Sequence, residues 1–304
     1  MNLKVIKPAS AFLRSDSGVS TAVAAALLLG ILVIFITNIQ VYHVPQWKED
    51  AEYVHMSEVF EDMSRLKCNF DLISTGLEIN PSSRIILNSP LRMGGGDLPI
   101  VNRMKSGGTL ALNGGGCRLF ANITYNDSHS EDINFGNPLD CGTISYQAVN
   151  SRYINQAYCY ENGALIVVQD GQSFMKLSPA IILQKEPNNF VNLSINAVCL
   201  EGDNWVLSSN ALEDIRLISR SRTTLCDSDL LTGSFYLTSV SLTIFTEYPE
   251  AWGTYFNSTT KNENIDPADY NITLNSSAVV FSLTPADEDL IVKIYKSSIE
   301  VEAL

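Results

Sequence analysis

The hydrophobic pattern changes along the chain, and its first part is one uninterrupted apolar run. The run VSTAVAAALLLGILVIFI extends from Val19 to Ile36, and no Asp, Glu, Lys or Arg occurs from Val19 to Trp47. Eighteen helical residues span about 27 Å, close to the roughly 30 Å hydrocarbon core of a bilayer. The alternative is a helix buried in a soluble core, but a charge-free run of this length favours a membrane span.

Beyond this run, apolar residues recur at alternating steps of three and four, the period of one helix face. These residues are Met56, Val59, Met63, Leu66, Phe70, Ile73 and Leu77. The other faces are predicted to hold Glu58, Glu61, Asp62, Arg65 and Lys67. Pro45 should bend or interrupt the helix, and Gly76 with Asn80-Pro81 should end it. The two patterns together predict a helical rod of about sixty residues. The apolar stripe in the second part of this rod is expected either to pack on its own domain or to coil with a neighbouring subunit.

After residue 80 the period becomes two, which is typical of strands with one buried face. The segments 190–200 and 239–246 alternate in this way, and Asn162-Gly163 predicts a tight hairpin between 158–160 and 165–168. Further strands are predicted at 84–88, 117–125, 143–149, 278–283 and 290–301. A short helix is predicted from Pro249, with Trp252, Tyr255 and Phe256 on one side. The Gly-rich stretch 94–116 is either a linker or a set of long loops.

The predicted fold class is α+β: a long N-terminal helix, comprising a membrane span and an amphipathic extension, followed by a mostly antiparallel β-sandwich-like domain. The expected domains are a basic leader at 1–18, the helix at 19–79 and a β-rich domain at 80–304. Whether the last of these contains one or two sandwiches stays open.

Charge adds a direction to this organisation. The chain of 304 residues has a formal charge of −13, but residues 1–18 carry +2, which leaves −15 for the residues from Lys48 onward. Positive residues before a span are retained in the cytoplasm, so the acidic domain is expected outside the cell. The acidic balance argues against a nucleic-acid partner, because a phosphate backbone selects clustered Lys and Arg.

The polar stretch Ser15-Asp16-Ser17-Gly18 lies before the apolar run, whereas an ordinary secretory signal is cut after a shorter one. The order of basic tail, RSDSG and VSTAVAAALLLGILVIF resembles the class III signal of archaeal type IV pilins and archaellins. The stretch VPQWKEDAEYVHMSEVFEDMSRL and the later PEAW are similar to archaeal pilin-like surface proteins. The resemblance at the N-terminus covers roughly residues 10–75. Val23 stands where bacterial pilins have Glu, a residue that archaeal members commonly lack.

This resemblance implies cleavage by prepilin peptidase between Gly18 and Val19, and assembly with like or related subunits by a pilus machinery. Within the run, Ala22, Ala26 and Gly30 share one helix face. Small residues at this spacing allow two membrane helices to approach closely. The alternative is coincidence, because the segment is rich in alanine in any case.

The β-rich part carries two further marks of an exported domain. Six sequons are candidate glycosylation sites: Asn122, Asn126, Asn192, Asn257, Asn271 and Asn275. The strand pattern predicts that Asn122, Asn192, Asn271 and Asn275 point outward. Six cysteines are candidates for disulfides or for buried reduced thiols: Cys68, Cys117, Cys141, Cys159, Cys199 and Cys226. Cys68 lies off the apolar stripe and is either free or a bridge from helix to domain.

The sequence contains no recognisable catalytic constellation. Its three histidines, His43, His55 and His129, lack metal-ligand spacing, and the common nucleophile, zinc and phosphate motifs are absent. The acidic clusters at 127–132 and 287–289 are interpreted as solvated loops. We therefore expect no enzyme activity, no metal and no cofactor.

Two functions follow from the sequence. The first is a pilin-like structural or adhesive cell-surface subunit, anchored by its helix and assembled into a filament; its length favours a minor or tip role. The alternative is an uncleaved single-pass membrane protein whose outer domain binds a ligand or hydrolyses a polymer.

Overall fold

The structure is a computed structural model that describes residues 16–98, 105–187, 190–230 and 236–304. The chain begins with helix α1 (Asp16–Asn38), a π-helical turn (Ile39–His43) and helix α2 (Val44–Ile79). These three elements form one continuous rod, so the predicted long helix is confirmed. The predicted leader lies largely outside the described residues.

Pro45 changes the helix type locally and does not end the rod. The N–H of Val44 bonds to the carbonyl of Ile39, five residues earlier, in the π turn just before Pro45. The proline ring has no N–H and clashes with the carbonyl four residues before it. A wider turn at this point relieves the clash, so the predicted interruption becomes a π turn.

The described residues after α2 form seventeen strands, one further α-helix, α3 (Pro249–Asn262), and two short 3-10 helices. The strands are β1 (Ile86–Arg92), β2 (Gly107–Leu112), β3 (Arg118–Tyr125), β4 (Ser130–Asp132), β5 (Leu139–Asp140), β6 (Thr143–Val149), β7 (Gln156–Glu161), β8 (Ala164–Gln169), β9 (Gln172–Leu177), β10 (Ile181–Glu186), β11 (Phe190–Glu201), β12 (Trp205–Ser209), β13 (Leu212–Asp227), β14 (Leu237–Phe245), β15 (Tyr270–Asn275), β16 (Ala278–Leu283) and β17 (Asp289–Ala303). We call residues 80–304 the head.

The strands form two sheets. The larger sheet has the order β1-β13-β17-β14-β16-β15; β11 with β10 joins it at β17, and β3 with β4 and β5 joins it at β14. The smaller sheet has the order β12-β2-β6-β7-β8-β9, with antiparallel neighbours throughout. In the larger sheet β11 runs parallel to β17. The other strand pairs in the two sheets are antiparallel, so the predicted mostly antiparallel fold class is confirmed.

The predicted hairpin connects β7 and β8. Asn162 and Gly163 both have positive φ, at 43° and 80°, as a two-residue primed turn requires. The Asn162 side chain also accepts the N–H of Val198 at 3.0 Å, which ties the turn to β11. The predicted helix at Pro249 is confirmed as α3, with Trp252 and Phe256 buried.

The Gly-rich stretch 94–116 is neither a linker nor only loops, because it contains β2, between β12 and β6 in the smaller sheet. Gly108 lies so close to Tyr146 and to the carbonyl of Met93 that a Cβ there would overlap with both. The glycine thus allows close packing inside a strand, which composition alone does not distinguish from a loop.

The apolar stripe of α2 packs on the head of its own chain. All seven stripe residues are buried, in a core that α2 shares with strands of both sheets. Phe70 stacks on Tyr160 with ring centroids 4.3 Å apart. Asp62 was predicted on a polar face, but it is buried at the edge of this core. A second core lies between the larger sheet and α3 and includes Trp252, Phe256 and Phe281.

Candidate functional site: the apolar rod and its attachment to the head

The first part of the rod has no packing partner within the chain. Every residue from 21 to 38 is exposed, and the side chains of Ile31 and Ile34 each have 70% of their surface accessible. Within the described residues, one helix is long and apolar enough to cross a membrane, and this segment lies in it. Burial of one Leu or Ile is worth about 1.5–3 kcal/mol, so a surface of this kind favours lipid or another apolar surface over water.

The predicted helix-packing residues lie on this exposed segment. Ala22, Ala26 and Gly30 are all exposed, and a Cβ at Gly30 would have no atom within 4 Å. The predicted processing residues Gly18 and Val19 lie within α1, near the first residue that the structure describes. The predicted packing face is therefore exposed, and the proposed cut lies near the beginning of the same helix.

The rod is attached to the head by a buried carboxylate on α2. The side chain of Glu52 is fully buried and accepts hydrogen bonds from the backbone N–H groups of Ser151, Arg152 and Tyr153, at 2.8–3.1 Å. The hydroxyl groups of Ser106 and Ser151 add bonds of 2.8 and 2.7 Å. One carboxylate thus holds the loop between β6 and β7 against the helix.

These contacts also determine the protonation of Glu52. Burial by itself would raise the pKa of its carboxyl, but the hydrogen bonds from Ser151, Tyr153 and Arg152 outweigh burial and lower the pKa to about 2. Hydrogen bonds donated to a carboxylate favour its charged form. The folded protein therefore keeps this carboxyl ionised at pH values well below 4.5.

A lysine one helical turn before Glu52 completes this attachment. Lys48 Nζ lies 3.5 Å from the Glu52 carboxylate and donates a hydrogen bond of 2.6 Å to the carbonyl of Gly96. Gly96 has a φ of +70°, and a Cβ there would lie 2.7 Å from Glu52 Cγ. Glycine is required at this position both for its backbone conformation and for the close approach of the helix.

A second polar contact lies further along α2. The backbone N–H of Arg92, on β1, donates to the buried Asp62 carboxylate at 3.1 Å, and the Arg92 guanidinium lies 3.3 Å from the same group. Glu58 pairs with the other side of this guanidinium at 3.2 Å. Glu52 and Asp62 thus hold α2 against the head at two positions along the helix axis. The head therefore sets the direction of the exposed apolar helix.

His55, a polar residue beside the apolar stripe of α2, also lies in this interface. Its side chain is buried, and its Nε2 lies 3.4 Å from the hydroxyl of Tyr146, which donates to the carbonyl of Met93. Burial lowers the pKa of His55, which favours the neutral imidazole. The residue is part of the attachment, and no group of three or more His, Cys, Asp or Glu residues that could hold a metal ion occurs in the described part of the chain.

A cavity in the described part of the head has a buried acid in its lining. A space of about 280 Å³ lies beside β2, β6 and β7, and its lining includes the Gly114–Gly116 backbone, Glu161, Glu247 and Tyr248. Burial raises the pKa of Glu161 to about 7, although Thr246 and Trp252 both donate hydrogen bonds to its Oε1. Sequence reasoning placed Glu161 only at the end of a hairpin, and no local pattern identifies it as buried.

The remaining predicted residues are spread over the head. Four sequon asparagines are exposed: Asn126, Asn257, Asn271 and Asn275. Asn122 and Asn192 are half-buried; Asn122 donates to Asp132 at 2.6 Å, and the Asn192 Oδ1 is buried without a partner among the described residues. Each lies between two buried neighbours, as the predicted outward alternation requires, but its side chain is only partly accessible. Asp127 and His129 are exposed between β3 and β4, as expected for a solvated loop, whereas Glu131, from the same cluster, is exposed on β4.

All six cysteines are free thiols in the structure. Cys68 is exposed on α2, Cys226 is half-buried, and Cys117, Cys141, Cys159 and Cys199 are buried. Among these six cysteines, Cys68 is therefore the exposed one, and it lies on the side of α2 that faces away from the head.

Comparison with known proteins does not supply a family. No protein-family model and no curated protein matches the chain. Among solved structures, a Kfla1895 mutant in complex with isomaltose aligns at 6% identity over 73% of this chain, with a TM-score of 0.07. The chain spans 30% of that protein, and similarity at this level carries no argument about fold or function.

Proposed function

We propose that this protein is a pilin-like structural or adhesive subunit of the cell surface, with its N-terminus in the cytoplasm and its head outside. The observation that supports the proposal most directly is the unequal burial of one continuous helix. Residues 21–38 are exposed and apolar on every side, whereas the stripe of α2 is buried in the head. A rod of this kind suits a subunit that is held first by lipid and later by other rods.

In this proposal the bilayer holds the subunit until helix packing replaces the lipid contacts. Ala22, Ala26 and Gly30 form the face at which a second helix approaches, because small residues allow dispersion contacts between backbones. The outer side of α2 also exposes Val54 and Leu72, each with more than half of its surface accessible. These residues extend the apolar contact surface beyond the membrane.

The attachment by Glu52 and Asp62 gives the rod a mechanical role. A filament transmits load from one subunit to the next only where each helix is fixed to its own head. A flexible joint at this point would let the heads move independently. The buried polar contacts on α2 favour a rigid joint, in agreement with a structural subunit. The length of the chain favours a minor, tip or adhesive position over that of the main repeating subunit.

The orientation can be tested with the exposed thiol of Cys68. Whole cells are treated with a membrane-impermeant maleimide, and the full-length protein is then isolated and its labelled peptides are identified. The proposal expects labelling of Cys68 in intact cells, and no labelling of that peptide in a Cys68→Ser variant. Labelling of Cys68 only after lysis would place the head inside and would contradict the proposal.

The alternative is a single-pass protein that keeps its leader and binds a ligand with its head. The cavity beside Glu161 is the feature that favours it, because a buried carboxyl in a cavity of about 280 Å³ suits a small polar or cationic ligand. The two functions differ in the mature N-terminus, which is Val19 for a processed pilin-like subunit and Met1 for the alternative.

A further inference from the structure

Three of the six cysteines lie in one part of the head. Cys117, Cys141 and Cys199 are buried in the core that contains Trp252 and Phe256, and the half-buried Cys226 packs against the same core. Cys159 lines the cavity beside Glu161, and Cys68 is on the rod. A buried free cysteine packs like any small apolar side chain, so burial by itself does not distinguish a disulfide from reduced thiols, and the relative positions of the cysteines must decide.

Cys117 and Cys141 are opposite each other across two paired strands. β3 and β5 pair with Arg118 opposite Asp140 and Leu119 opposite Leu139, so the next position of this ladder joins Cys117 to Cys141. The backbone N–H of Cys141 donates to the carbonyl of Cys117 at 2.9 Å. Residues in such a hydrogen-bonded pair have Cα atoms about 5.5 Å apart, within the range of roughly 4.4–6.8 Å found for disulfides.

Both side chains point to the same side of this ladder, because both are buried in the same core. The Cys141 thiol interacts with the thiols of Cys117 and Cys199. The backbone N–H of Leu200, the residue after Cys199, bonds to the carbonyl of Cys141 at 3.0 Å. Cys199 is therefore shifted by one residue relative to Cys141, and Cys117 is the directly opposite partner.

We propose that Cys117 and Cys141 form a disulfide bond in the mature protein and that Cys199 remains a thiol. This inference rests on the proposed extracellular position of the head, because disulfides persist in oxidising compartments. The bond would close the chain from β3 to β5 into a covalent loop. That loop carries the sequons at Asn122 and Asn126, so the disulfide would fix the segment that presents them.

The oxidation balances with a disulfide-bearing donor, such as a thiol oxidoreductase or glutathione disulfide. One cysteine thiolate attacks the donor sulfur and releases one thiol; the second cysteine then attacks the mixed disulfide and releases the other. Two thiols of the protein are oxidised, one donor disulfide is reduced, and the two protein protons end on the released thiols. In the folded head, contact with the Cys117 thiol and burial raise the pKa of Cys141 well above its usual range, so its reactive thiolate is scarce. The bond should therefore form before the core closes.

The sequence allows a direct assay, because trypsin separates the relevant cysteines into different peptides. Cys117 falls in 106–118, Cys141 in 119–152, Cys159 in 153–176 and Cys199 in 186–216. The full-length protein is isolated from cells without reductant, its free thiols are alkylated, and its tryptic peptides are identified by mass spectrometry. The proposal expects 106–118 linked to 119–152, with Cys199 alkylated. Both peptides alkylated, or 119–152 linked to 186–216, would overturn it.

Variants and a stability measurement provide the controls. Cys199→Ser should keep the linked pair, whereas Cys141→Ser should remove it and leave Cys117 alkylated. A reductant should lower the Tm of the wild-type protein by roughly 5–10 °C and that of Cys141→Ser by much less; equal Tm values with and without reductant would contradict the proposal. The labelling of Cys68 reports the position of the head separately. A reduced pair with Cys68 labelled from outside refutes the disulfide alone, and a reduced pair with Cys68 labelled only after lysis refutes the proposed orientation as well.

Discussion

The Glu52 carboxylate on the rod accepts the backbone N–H of Tyr153 in the head at 2.8 Å, across 101 positions of sequence. The same group receives the N–H of Arg152 at 2.8 Å and the N–H and hydroxyl of Ser151. A single side chain therefore accepts the backbone N–H groups of the turn that follows β6, and it also fixes the direction of the helix. The first prediction tests how much the attachment depends on it.

Replacement of Glu52 by Ala should strongly destabilise the attachment. The change leaves three backbone N–H groups without their buried acceptor and removes the carboxylate 3.5 Å from the Lys48 ammonium, at a cost of about 3 kcal/mol or more. Thermal unfolding of the full chain in detergent measures the effect. Glu49→Ala is the matched control, because Glu49 is an exposed residue of the same helix. Equal Tm values for the two variants would contradict the assigned role of Glu52.

The Glu52 contacts also predict acid sensitivity. Its pKa is lowered from 4.5 to about 2 in the folded protein, so its contribution to stability is present above pH 4.5 and is lost as the pH falls from 4.5 toward 2. The free energy of unfolding of the wild-type protein should fall over this interval. In Glu52→Gln this part of the pH dependence should disappear, and an unchanged pH profile would argue against the prediction.

The raised pKa of Glu161 predicts a pH dependence of stability with the opposite sign to that of Glu52. Its pKa is raised from 4.5 to about 7, so its stabilising protonated form is present below pH 4.5 and is lost as the pH rises through 7. Glu161→Gln keeps a neutral acceptor for Thr246 and Trp252. The variant should be more stable than the wild type at pH 8, by up to about 3 kcal/mol, and similar at pH 5. Denaturant unfolding at both pH values tests this; a variant destabilised at pH 8 would show that the charge is needed.

The proposed helix contact predicts a face-specific effect. Ala26→Phe should prevent close approach at the face of Ala22, Ala26 and Gly30 and so reduce self-association or filament formation. Ala24→Phe is the control, because Ala24 is equally exposed but lies on the other side of the same helix. Cross-linking in membranes and electron microscopy of the cell surface provide the measurements. If both variants assemble as the wild type does, the small residues do not form the contact.

The packing of β2 predicts a difference between two glycines. Gly108→Ala should destabilise the head by about 1–3 kcal/mol, because its Cβ would overlap with Tyr146 and the Met93 carbonyl. At Gly116 a Cβ would meet no atom within 4 Å, so Gly116→Ala should be nearly neutral. Chemical denaturation of both variants compares them. Similar losses at both positions would remove the argument for close packing at Gly108.

The sequence predicts those parts of the fold that depend on local pattern. The stripe from Met56 to Leu77 has a clear helical period, and Asn162-Gly163 has the backbone preference that a tight turn needs. The same reasoning misses β2, because its glycines resemble a loop, and it misses the parallel pairing of β11 and β17, because nothing local determines which distant strand is the neighbour. It also leaves Glu52 among the charged residues of a helix surface.

In the candidate site, too, local patterns can be predicted from the sequence, whereas contacts between distant segments cannot. The apolar rod and its small residues can be read from composition and spacing. The buried positions of Glu52, Asp62, His55 and Glu161 arise only when segments far apart in sequence meet, and each of these residues is of a type that is usually exposed. The disulfide candidates gain a specific pair only once the β3 and β5 register is known.

The mature N-terminus of the full-length protein, isolated from the membrane and cell-surface fractions, tests the central claim most directly. N-terminal sequencing together with the intact mass identifies it without any variant. A processed pilin-like subunit predicts that the chain begins at Val19, so that the apolar helix is retained and the basic leader is lost. A native protein that begins at Met1 would contradict this account and favour an uncleaved membrane protein with a ligand-binding head.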